Sequence, residues 1–325
     1  MNAFAALGLT APVTGLLKNM GIKMPTPIQM ACIPAAFKGK DIIGQAQTGT
    51  GKTFAYLLPV LQRVDTEKDC TQVLIMAPTR ELSDQIFQVA RPFAQELSVD
   101  AADIIGGKTI ENQLQKLKRD PHVIIGTPGR LLDHIRRKSL DLSNVRTVIL
   151  DEADQMLANG FREDIEALID ETPKKRQMLL FSATMPDEAK RLARKYMTHP
   201  AVVNVAEKTF AMLRDKAANG ESFLIIGRCS DQVLKGNPNM LSIFICGNQQ
   251  AKVGRVMEKK GLSAEDAIEE IKEVDRSRKS YHNYYCETKW GDARGYDMTV
   301  KSDVLGFEGT AKMLIAYIRS FMEQG

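Results

Sequence analysis

The sequence predicts an α/β fold in which a parallel sheet carries helices on both faces. Short apolar runs typical of buried strands recur along the chain, and each is closed by polar residues that begin a helix. These runs are residues 73–77, 123–126, 147–150 and 177–181. A glycine-rich loop between an apolar run and a helix is the second sign of this fold. Parallel sheets bind ligands at the carboxyl ends of their strands, so the polar closures are expected at one functional edge.

Length and composition are those of an ordinary globular protein. The chain has 325 residues, of which 44% are hydrophobic and 26% charged, and at roughly 100–200 residues per domain it can form two domains. Its 44 basic and 40 acidic side chains leave a net charge of only +4. Any contact with nucleic acid is therefore expected from individually placed residues rather than from bulk charge.

Five cysteines lie far apart along the chain, and no two form a Cys-x-x-Cys pair. This spacing favours reduced, structural thiols over a zinc site or a disulfide framework. The first twenty residues lack the features of a secretion signal, and no apolar run approaches the roughly 20 residues needed to cross a bilayer. We therefore expect a cytoplasmic protein with no membrane partner.

Two segments precede the glycine-rich loop. Residues 4–20 place apolar and small side chains at helical spacing and stop before Gly21, which predicts a helix with a glycine cap. Residues 21–29 contain two prolines, which predict an extended turn, and Gln29 is expected to open the next helix. A glutamine amide can both donate to and accept from an adenine edge, although such a residue taken alone is more often on the surface.

The glycine-rich loop, residues 44–53, predicts a nucleoside triphosphate site. Its glycines let backbone N–H groups surround a polyphosphate, Lys52 adds a positive charge, and the Thr53 hydroxyl can ligate magnesium. The generic pattern has glycine where Ala46 stands, and the alternative is a flexible surface turn. A surface turn has no need of Gly-Lys-Thr at the start of a helix, so the phosphate-binding interpretation is favoured.

Two acids follow the apolar run at residues 147–150. Asp151 stands where a carboxylate can hold Mg²⁺, and Glu152 is suited to orient and deprotonate an attacking water. The alternative is a pair of exposed acids at a helix N-terminus, where negative charge is favourable in any case. The phosphate-binding loop upstream favours the catalytic interpretation.

These motifs make residues 1–206 resemble the amino-terminal ATP-binding domain of a DEAD-box RNA helicase, which is a RecA-like domain. They stand in the family's order: Phe4 and residues 21–29, then 46–53, 78–82, 106–107, 127–130, 151–154 and 182–184. The family's loop also carries alanine at the position of Ala46, so the mismatch with the generic pattern becomes support. The resemblance implies ATP and Mg²⁺ as cofactors.

The resemblance also implies a role for each matched residue. Adenine would contact Phe4, Thr26 and Gln29. The phosphates would contact Thr48, Gly49, Thr50, Gly51, Lys52 and Thr53. Thr53 and Asp151 would hold the metal, and Lys52, Asp151 and Glu152 would carry catalysis. The RNA track would comprise Thr79, Arg80, Gly107, Thr127 and Arg130. The residues that couple the state of ATP to RNA would be Asp154, Ser182 and Thr184. Such groups contact phosphate and sugar, so single-stranded or structured RNA is expected to bind independently of sequence.

Residues 207–325 follow a different α/β pattern. Helices are predicted over 208–219, 249–260, from Ser263 onward and over 308–321, and strands over 223–227, 240–246 and 296–301. The second domain of this helicase family carries a His-Arg-x-Gly-Arg-x-x-Arg signature whose arginines reach the phosphates. That signature is absent after Ala206.

Residues 223–318 resemble instead the carboxyl-terminal half of the cytidylate-kinase-like family of nucleoside monophosphate kinases. The resemblance is carried by residues 226–231, 275–281, 284–285, 289–292 and 296–297. It implies a basic lid with Arg276 and Arg278, and Arg228 as a substrate contact. The alternative is a solvated basic helix face whose nearby tyrosines pack at helical spacing. This partial P-loop-kinase-like α/β segment lacks its own phosphate loop, so we expect two unrelated parts to join near Glu207.

Three functions remain open from the sequence. The first is a weak or RNA-stimulated ATPase whose unwinding is impaired because the second helicase domain is missing from this sequence. The second is a kinase for CMP or dCMP that combines the Lys52 loop with the lid arginines. The third is a non-enzymatic, nucleotide-gated module that binds RNA or protein. A partial sheet leaves unpaired edges, so self-association through the carboxyl-terminal part is also expected.

Overall fold

The computed structural model describes residues 2–47 and 49–323. The chain divides into two compact units, Met1–Ala206 (unit 1) and Glu207–Gly325 (unit 2). Each unit has its own sheet among the described residues. None of the described helices has the length and apolar character needed to cross a bilayer.

Unit 1 is built on a parallel sheet that, in its described residues, has seven strands in the order β3-β4-β2-β5-β6-β1-β7. The strands are β1 (Ile42–Gln45), β2 (Val73–Met76), β3 (Ala101–Ile104), β4 (Val123–Gly126), β5 (Thr147–Leu150), β6 (Gln177–Ser182) and β7 (Ala201–Asn204). The predicted α/β class and the four predicted buried strands are confirmed. The sequence analysis missed β3 and β7, because β3 carries an aspartate and the edge strand β7 is only partly buried.

Helices connect these strands. They are α1 (Ala11–Asn19), α2 (Pro27–Phe37), α3 (Lys52–Leu61), α4 (Arg80–Glu96), α5 (Ile110–Leu117), α6 (Pro128–Arg136), α7 (Ala153–Ala158), α8 (Arg162–Asp170), α9 (Asp187–Tyr196) and α10 (Val205–Ala218), the last of which continues into unit 2. The predicted helix over residues 4–20 is wrong in its first part. Gly8 adopts a left-handed conformation (φ 98°), which ends a short 3₁₀ helix, Ala5–Leu7, before α1 begins.

Apolar side chains cover both faces of the unit 1 sheet. Successive strand residues point to opposite faces, so Val73 and Ile75 of β2 join one hydrophobic cluster and Leu74 and Met76 join the other. Strand β6 divides its residues between the two clusters in the same way. The two clusters confirm that helices pack on both faces, and their rigidity holds the carboxyl edge of the sheet in place.

Unit 2 has a smaller, two-stranded parallel sheet among its described residues, β8 (Ile243–Cys246) and β9 (Met298–Lys301). Its further helices are α11 (Ser230–Val233), α12 (Gln249–Lys260), α13 (Ala264–Tyr285) and α14 (Ser302–Met322). Helix α13 begins at Ala264, next to the predicted start at Ser263, and Ser263 caps it because its Oγ accepts a hydrogen bond from the Asp266 amide. The strand predicted over residues 223–227 is wrong: no strand forms there, and Leu224 and Ile226 are 84% and 95% exposed because no neighbouring strand covers them.

All five cysteines are free thiols. Cys229 and Cys286 are far apart in the sequence, but their sulfur atoms lie within 4.8 Å of each other in unit 2. The chain between them folds back through α12 and α13, which sequence spacing does not reveal.

Candidate nucleotide site at the carboxyl edge of the sheet

The glycine-rich loop joins β1 to α3, and its last glycine is tightly enclosed. Gly51 has a left-handed backbone (φ 89°) and stands immediately before the first residue of α3. A Cβ atom at this position would lie 2.3 Å from Nε2 of Gln29. Glycine is therefore required both by the conformation and by the neighbouring side chain. Of the predicted phosphate-binding residues, Thr48 lies outside the described residues.

Lys52 and the two predicted acids meet in a buried cluster. The Lys52 Nζ atom lies 2.7 Å from Oε1 of Glu152. The Tyr56 hydroxyl donates to Oδ2 of Asp151 over 2.8 Å, and the Glu152 amide donates to Oδ1 of Asp151 over 3.0 Å. The structure therefore brings the three predicted catalytic residues together. The sequence analysis missed Tyr56, although its position one helical turn after Lys52 places both side chains on the same face of α3.

Burial and neighbouring charges shift the pKa of every titratable group in this cluster. Burial would lower the pKa of Lys52, but the charges of Glu152 and Asp151 outweigh burial and raise the pKa of this ammonium group. Burial raises the pKa of the Asp151 carboxyl against the opposing charge of Lys52, and it acts on the pKa of Glu152 in the same direction. Burial and the Asp151 charge also raise the pKa of Tyr56. Two buried acids thus share one base, and their carboxylate oxygens are the ligand type that a magnesium ion prefers.

Glu152 has an unusual backbone conformation. Its φ and ψ angles are both 51°, in the left-handed region that non-glycine residues seldom adopt. Strain of this kind costs of the order of 1–3 kcal/mol and is often retained at functional sites. The strained turn follows β5 directly and places the Glu152 carboxylate against Lys52.

The predicted coupling residues form one hydrogen-bonded group. Oδ2 of Asp154 accepts hydrogen bonds from the Thr184 amide (3.0 Å) and the Thr184 hydroxyl (2.6 Å), and the Asp154 amide donates to Oγ of Ser182 (3.2 Å). The Ser182 carbonyl in turn accepts from the amide of Ala46 in the glycine-rich loop (3.0 Å). Hydrogen bonds therefore link the glycine-rich loop, the end of β6 and the acidic motif.

The region predicted to contact adenine is hydrogen-bonded to the glycine-rich loop. Gln29 is only 2% exposed, which rules out the alternative that it is a surface residue. Its Oε1 accepts from the Thr26 amide and its Nε2 donates to the Gly51 carbonyl, both over 3.0 Å. Gln29 is the third residue of α2, which begins at Pro27 rather than at Gln29 itself. Phe4 is buried in one of the two apolar clusters, so an adenine ring could stack on it only if the residues that cover it moved.

The residues predicted to bind RNA lie together at the ends of β2, β3 and β4. Thr79 caps α4 by accepting from the Leu82 amide, and Thr127 stands immediately before α6. The Arg80 guanidinium lies so close to Gly107 that a Cβ there would be 2.6 Å from Nη1. Arg130 donates to the Lys108 carbonyl over 3.2 Å. The candidate phosphate-binding residues follow β1 and the two acids follow β5, so these groups and the RNA candidates occupy different parts of one sheet edge.

The arginines predicted for the lid and for the substrate contact all lie in unit 2. The Arg228 guanidinium lies 5.3 Å from the centre of the Tyr281 ring, and burial lowers its pKa. Arg276 and Arg278 are on α13, where Arg278 contacts Asp275 over 3.4 Å. Tyr281 and Tyr285 pack with ring centres 4.8 Å apart, which is the packing expected of a structural helix face. These contacts fit the structural alternative, and no described contact requires a lid.

Comparison with known proteins agrees with this geometry. The family model of DEAD/DEAH box helicases matches residues 26–192, about half of the chain. A model of the cytidylate kinase-like family matches residues 139–304 and overlaps the first match. The kinase-like match thus begins inside unit 1, well before the predicted junction at Glu207.

Individual relatives are ATP-dependent RNA helicases by name. A DEAD-box ATP-dependent RNA helicase CshA of Bacillus cereus is 50% identical over 212 residues, which cover 65% of this chain and 40% of the relative. An ATP-dependent RNA helicase CshA of Listeria monocytogenes is 38% identical over 284 residues, 85% of this chain and 54% of the relative. The chain therefore spans roughly half or less of the length of these relatives.

A solved structure supports the fold. The crystal structure of a DEAD box protein from the hyperthermophile Methanococcus jannaschii has a TM-score of 0.60 and 26% sequence identity, covering 92% of this chain and 79% of that one. This likeness and the parallel sheet of unit 1 confirm the RecA-like fold class. From its matched residues and the geometry of its loop and acidic cluster, the chain belongs to the DEAD/DEAH box helicase family.

Proposed function

We propose that unit 1 binds ATP with Mg²⁺ and binds RNA independently of sequence, and that it hydrolyses ATP weakly or in response to RNA. The observation that carries this proposal is the buried cluster of Lys52, Asp151 and Glu152 beside the left-handed Gly51. A lysine at the start of a helix, next to paired acids, is the arrangement that phosphoryl transfer uses.

Each group in the cluster has a chemical task in this proposal. The Asp151 carboxylate and the Thr53 hydroxyl would hold Mg²⁺, which neutralises phosphate charge when bound. Lys52 exchanges its Glu152 partner for phosphate oxygens, and this exchange frees Glu152 to orient and deprotonate the attacking water. The raised pKa of Glu152 suits it to accept a proton.

The RNA proposal is supported by chemistry at the ends of β2, β3 and β4. Hydroxyls, glycine amides and two guanidinium groups lie there, from Thr79, Arg80, Gly107, Thr127 and Arg130. Such groups bind phosphate and ribose rather than base edges, which supports binding without sequence preference. The Asp154, Ser182 and Thr184 network is suited to transmit the nucleotide state to this surface.

Unwinding by this chain assayed alone is proposed to be impaired. The arginine signature of the second helicase domain is absent after Ala206. Arginines that reach the phosphates in related chemistry contribute roughly 10³–10⁵ in rate. ATP turnover should therefore be slow even with RNA, and strand separation by the chain alone would contradict this part of the proposal.

The decisive experiment compares wild type with Glu152→Gln in ATP turnover, with and without single-stranded RNA. Glutamine keeps a hydrogen bond to Lys52 but cannot accept the proton, so turnover should fall by roughly 10²–10⁴ while ATP still binds. Equal turnover by the two proteins would overturn the assigned role of Glu152. Adding CMP in a parallel reaction tests the kinase alternative, since ADP formation that depends on CMP would favour it.

Self-association through unit 2 is a separate proposal. In the described residues β8 and β9 pair only with each other, so each strand keeps an unpaired outer edge that another copy could extend. A strict monomer at high concentration in light scattering would contradict it.

A further inference from the structure

Unit 2 contains a buried cluster of two thiols and an imidazole. The sulfur atoms of Cys229 and Cys286 and a ring nitrogen of His282 all lie within 4.8 Å of one another. All three residues are buried. The three ligand types therefore converge on one point, although Cys229 is far from the other two along the chain.

Local structure explains how the cluster forms. His282 and Cys286 are four residues apart at the end of α13, where the Cys286 amide donates to the His282 carbonyl over 2.8 Å. This spacing puts both side chains on one face of the helix. Cys229 comes from the turn before α11 and has a left-handed backbone (φ 66°) that a non-glycine residue seldom adopts. Two separate segments thus present their ligand atoms to each other.

The histidine provides an independent sign of a missing ligand. Nε2 of His282 is buried and has no hydrogen-bond partner among the described residues, and the side chain is only 2% exposed. An unpaired polar atom in the interior costs about 1–3 kcal/mol. Folded proteins rarely leave such an atom unsatisfied unless an ion or water completes it.

We propose that Cys229, His282 and Cys286 form a zinc-binding site in unit 2. Two thiolates and one imidazole are ligands that a borderline-soft cation prefers, whereas Mg²⁺ and Ca²⁺ require oxygen ligands. Two thiolates balance the charge of one Zn²⁺, so the occupied site buries no net charge. Zinc is usually four-coordinate, and a solvent molecule can fill the position that the three side chains leave open.

The same two sulfurs could in principle join as a disulfide, but the histidine argues for a metal. An imidazole has no part in a disulfide, whereas it is a common third ligand beside two cysteines in zinc sites. Bound zinc would tie the turn before α11 to the end of α13. This site lies within unit 2 and goes beyond the nucleotide function proposed for unit 1.

Zinc titration of the full chain tests the proposal. The protein is stripped with a chelator under reducing conditions, and Zn²⁺ is added in competition with a chromophoric zinc indicator. Wild type should bind one Zn²⁺ per chain. Cys229→Ser and His282→Gln should each weaken binding by more than the roughly 10–100-fold that loss of a supporting residue costs. Cys70→Ser, which changes a half-buried thiol in unit 1, is the matched control and should bind as wild type does.

Two measurements on wild type keep the test decisive if the variants fail to fold. Co²⁺ in place of Zn²⁺ should give the absorption bands of thiolate-to-metal charge transfer and tetrahedral coordination. Zn²⁺ should also slow the alkylation of Cys229 and Cys286, read by peptide mass, while Cys70 reacts at an unchanged rate. Absence of stoichiometric binding, Co²⁺ spectra without thiolate bands, or zinc binding that His282→Gln leaves unchanged would overturn the proposal.

Discussion

Unit 1 and unit 2 are both α/β, but they are stabilised to different degrees by apolar burial. The interior strands of unit 1 are buried throughout, and both apolar clusters lie within it. The strands of unit 2 are at most half-buried, and Phe307 of α14 is 71% exposed. Burial on both faces fixes the sheet edge that carries the candidate nucleotide-binding residues. The stability of a unit with less apolar burial depends more on other stabilising features, of which a bound metal is a common one.

The largest difference between the units is expected when one phenylalanine in each unit is replaced by alanine. Phe181 of β6 is fully buried and packs against Tyr56 with ring centres 5.1 Å apart, so Phe181→Ala should lower the free energy of unfolding by about 3–5 kcal/mol. Phe307→Ala should change it by less than about 1 kcal/mol, because the side chain is already in water. Urea unfolding followed by circular dichroism measures both.

Tryptophan fluorescence shows which of the two units unfolds in a given urea transition. The chain has a single tryptophan, Trp290, which is in unit 2 and packs against Phe244. If Phe181→Ala left the circular dichroism transition in place, or if Phe307→Ala were the more damaging change, the contrast between the units would be wrong.

A smaller effect is expected from two left-handed glycines. Gly51→Ala and Gly261→Ala both force alanine into a conformation that costs about 1–2 kcal/mol. Only at Gly51 would the added Cβ also displace Gln29, because nothing lies within 4 Å at Gly261. The lost hydrogen bonds should cost Gly51→Ala about 1–3 kcal/mol more and weaken ATP binding. Thermal unfolding and nucleotide titration of the two variants check this, and equal ATP affinities would argue against a tightly enclosed loop.

The sequence was most informative where a motif fixes both position and chemistry. The loop around Lys52, the acids after β5 and the polar closures at residues 78–82 and 127–130 were all found from pattern, because buried parallel strands leave long apolar runs. The short strands β3 and β7 were missed because they lack such runs. The apolar run at residues 223–227 gave a false strand prediction, because a strand also needs a neighbouring strand to pair with.

Contacts between residues far apart in the sequence were the second feature that could not be predicted. Tyr56 donates to Asp151 and Gln29 donates to Gly51 across large separations in sequence, and no local pattern predicts either bond. The same holds for Cys229, whose approach to His282 and Cys286 depends on how unit 2 folds back on itself. The four-residue spacing of His282 and Cys286 is a local signal that could have placed these two on one helix face, but the sequence analysis did not use it.

ATP binding by wild type, Lys52→Ala and Lys190→Ala tests the central claim most directly. Lys52 is buried against Glu152, whereas Lys190 is a surface lysine that pairs with the neighbouring Asp187. Isothermal titration with ATP and Mg²⁺ should give equal affinities for wild type and Lys190→Ala. The affinity of Lys52→Ala should be roughly 10–100-fold weaker, about 1.4–2.8 kcal/mol, because a charge-assisted contact to phosphate is lost. Equal binding by all three proteins, or no binding by wild type, would contradict the assignment of this loop as the nucleotide site.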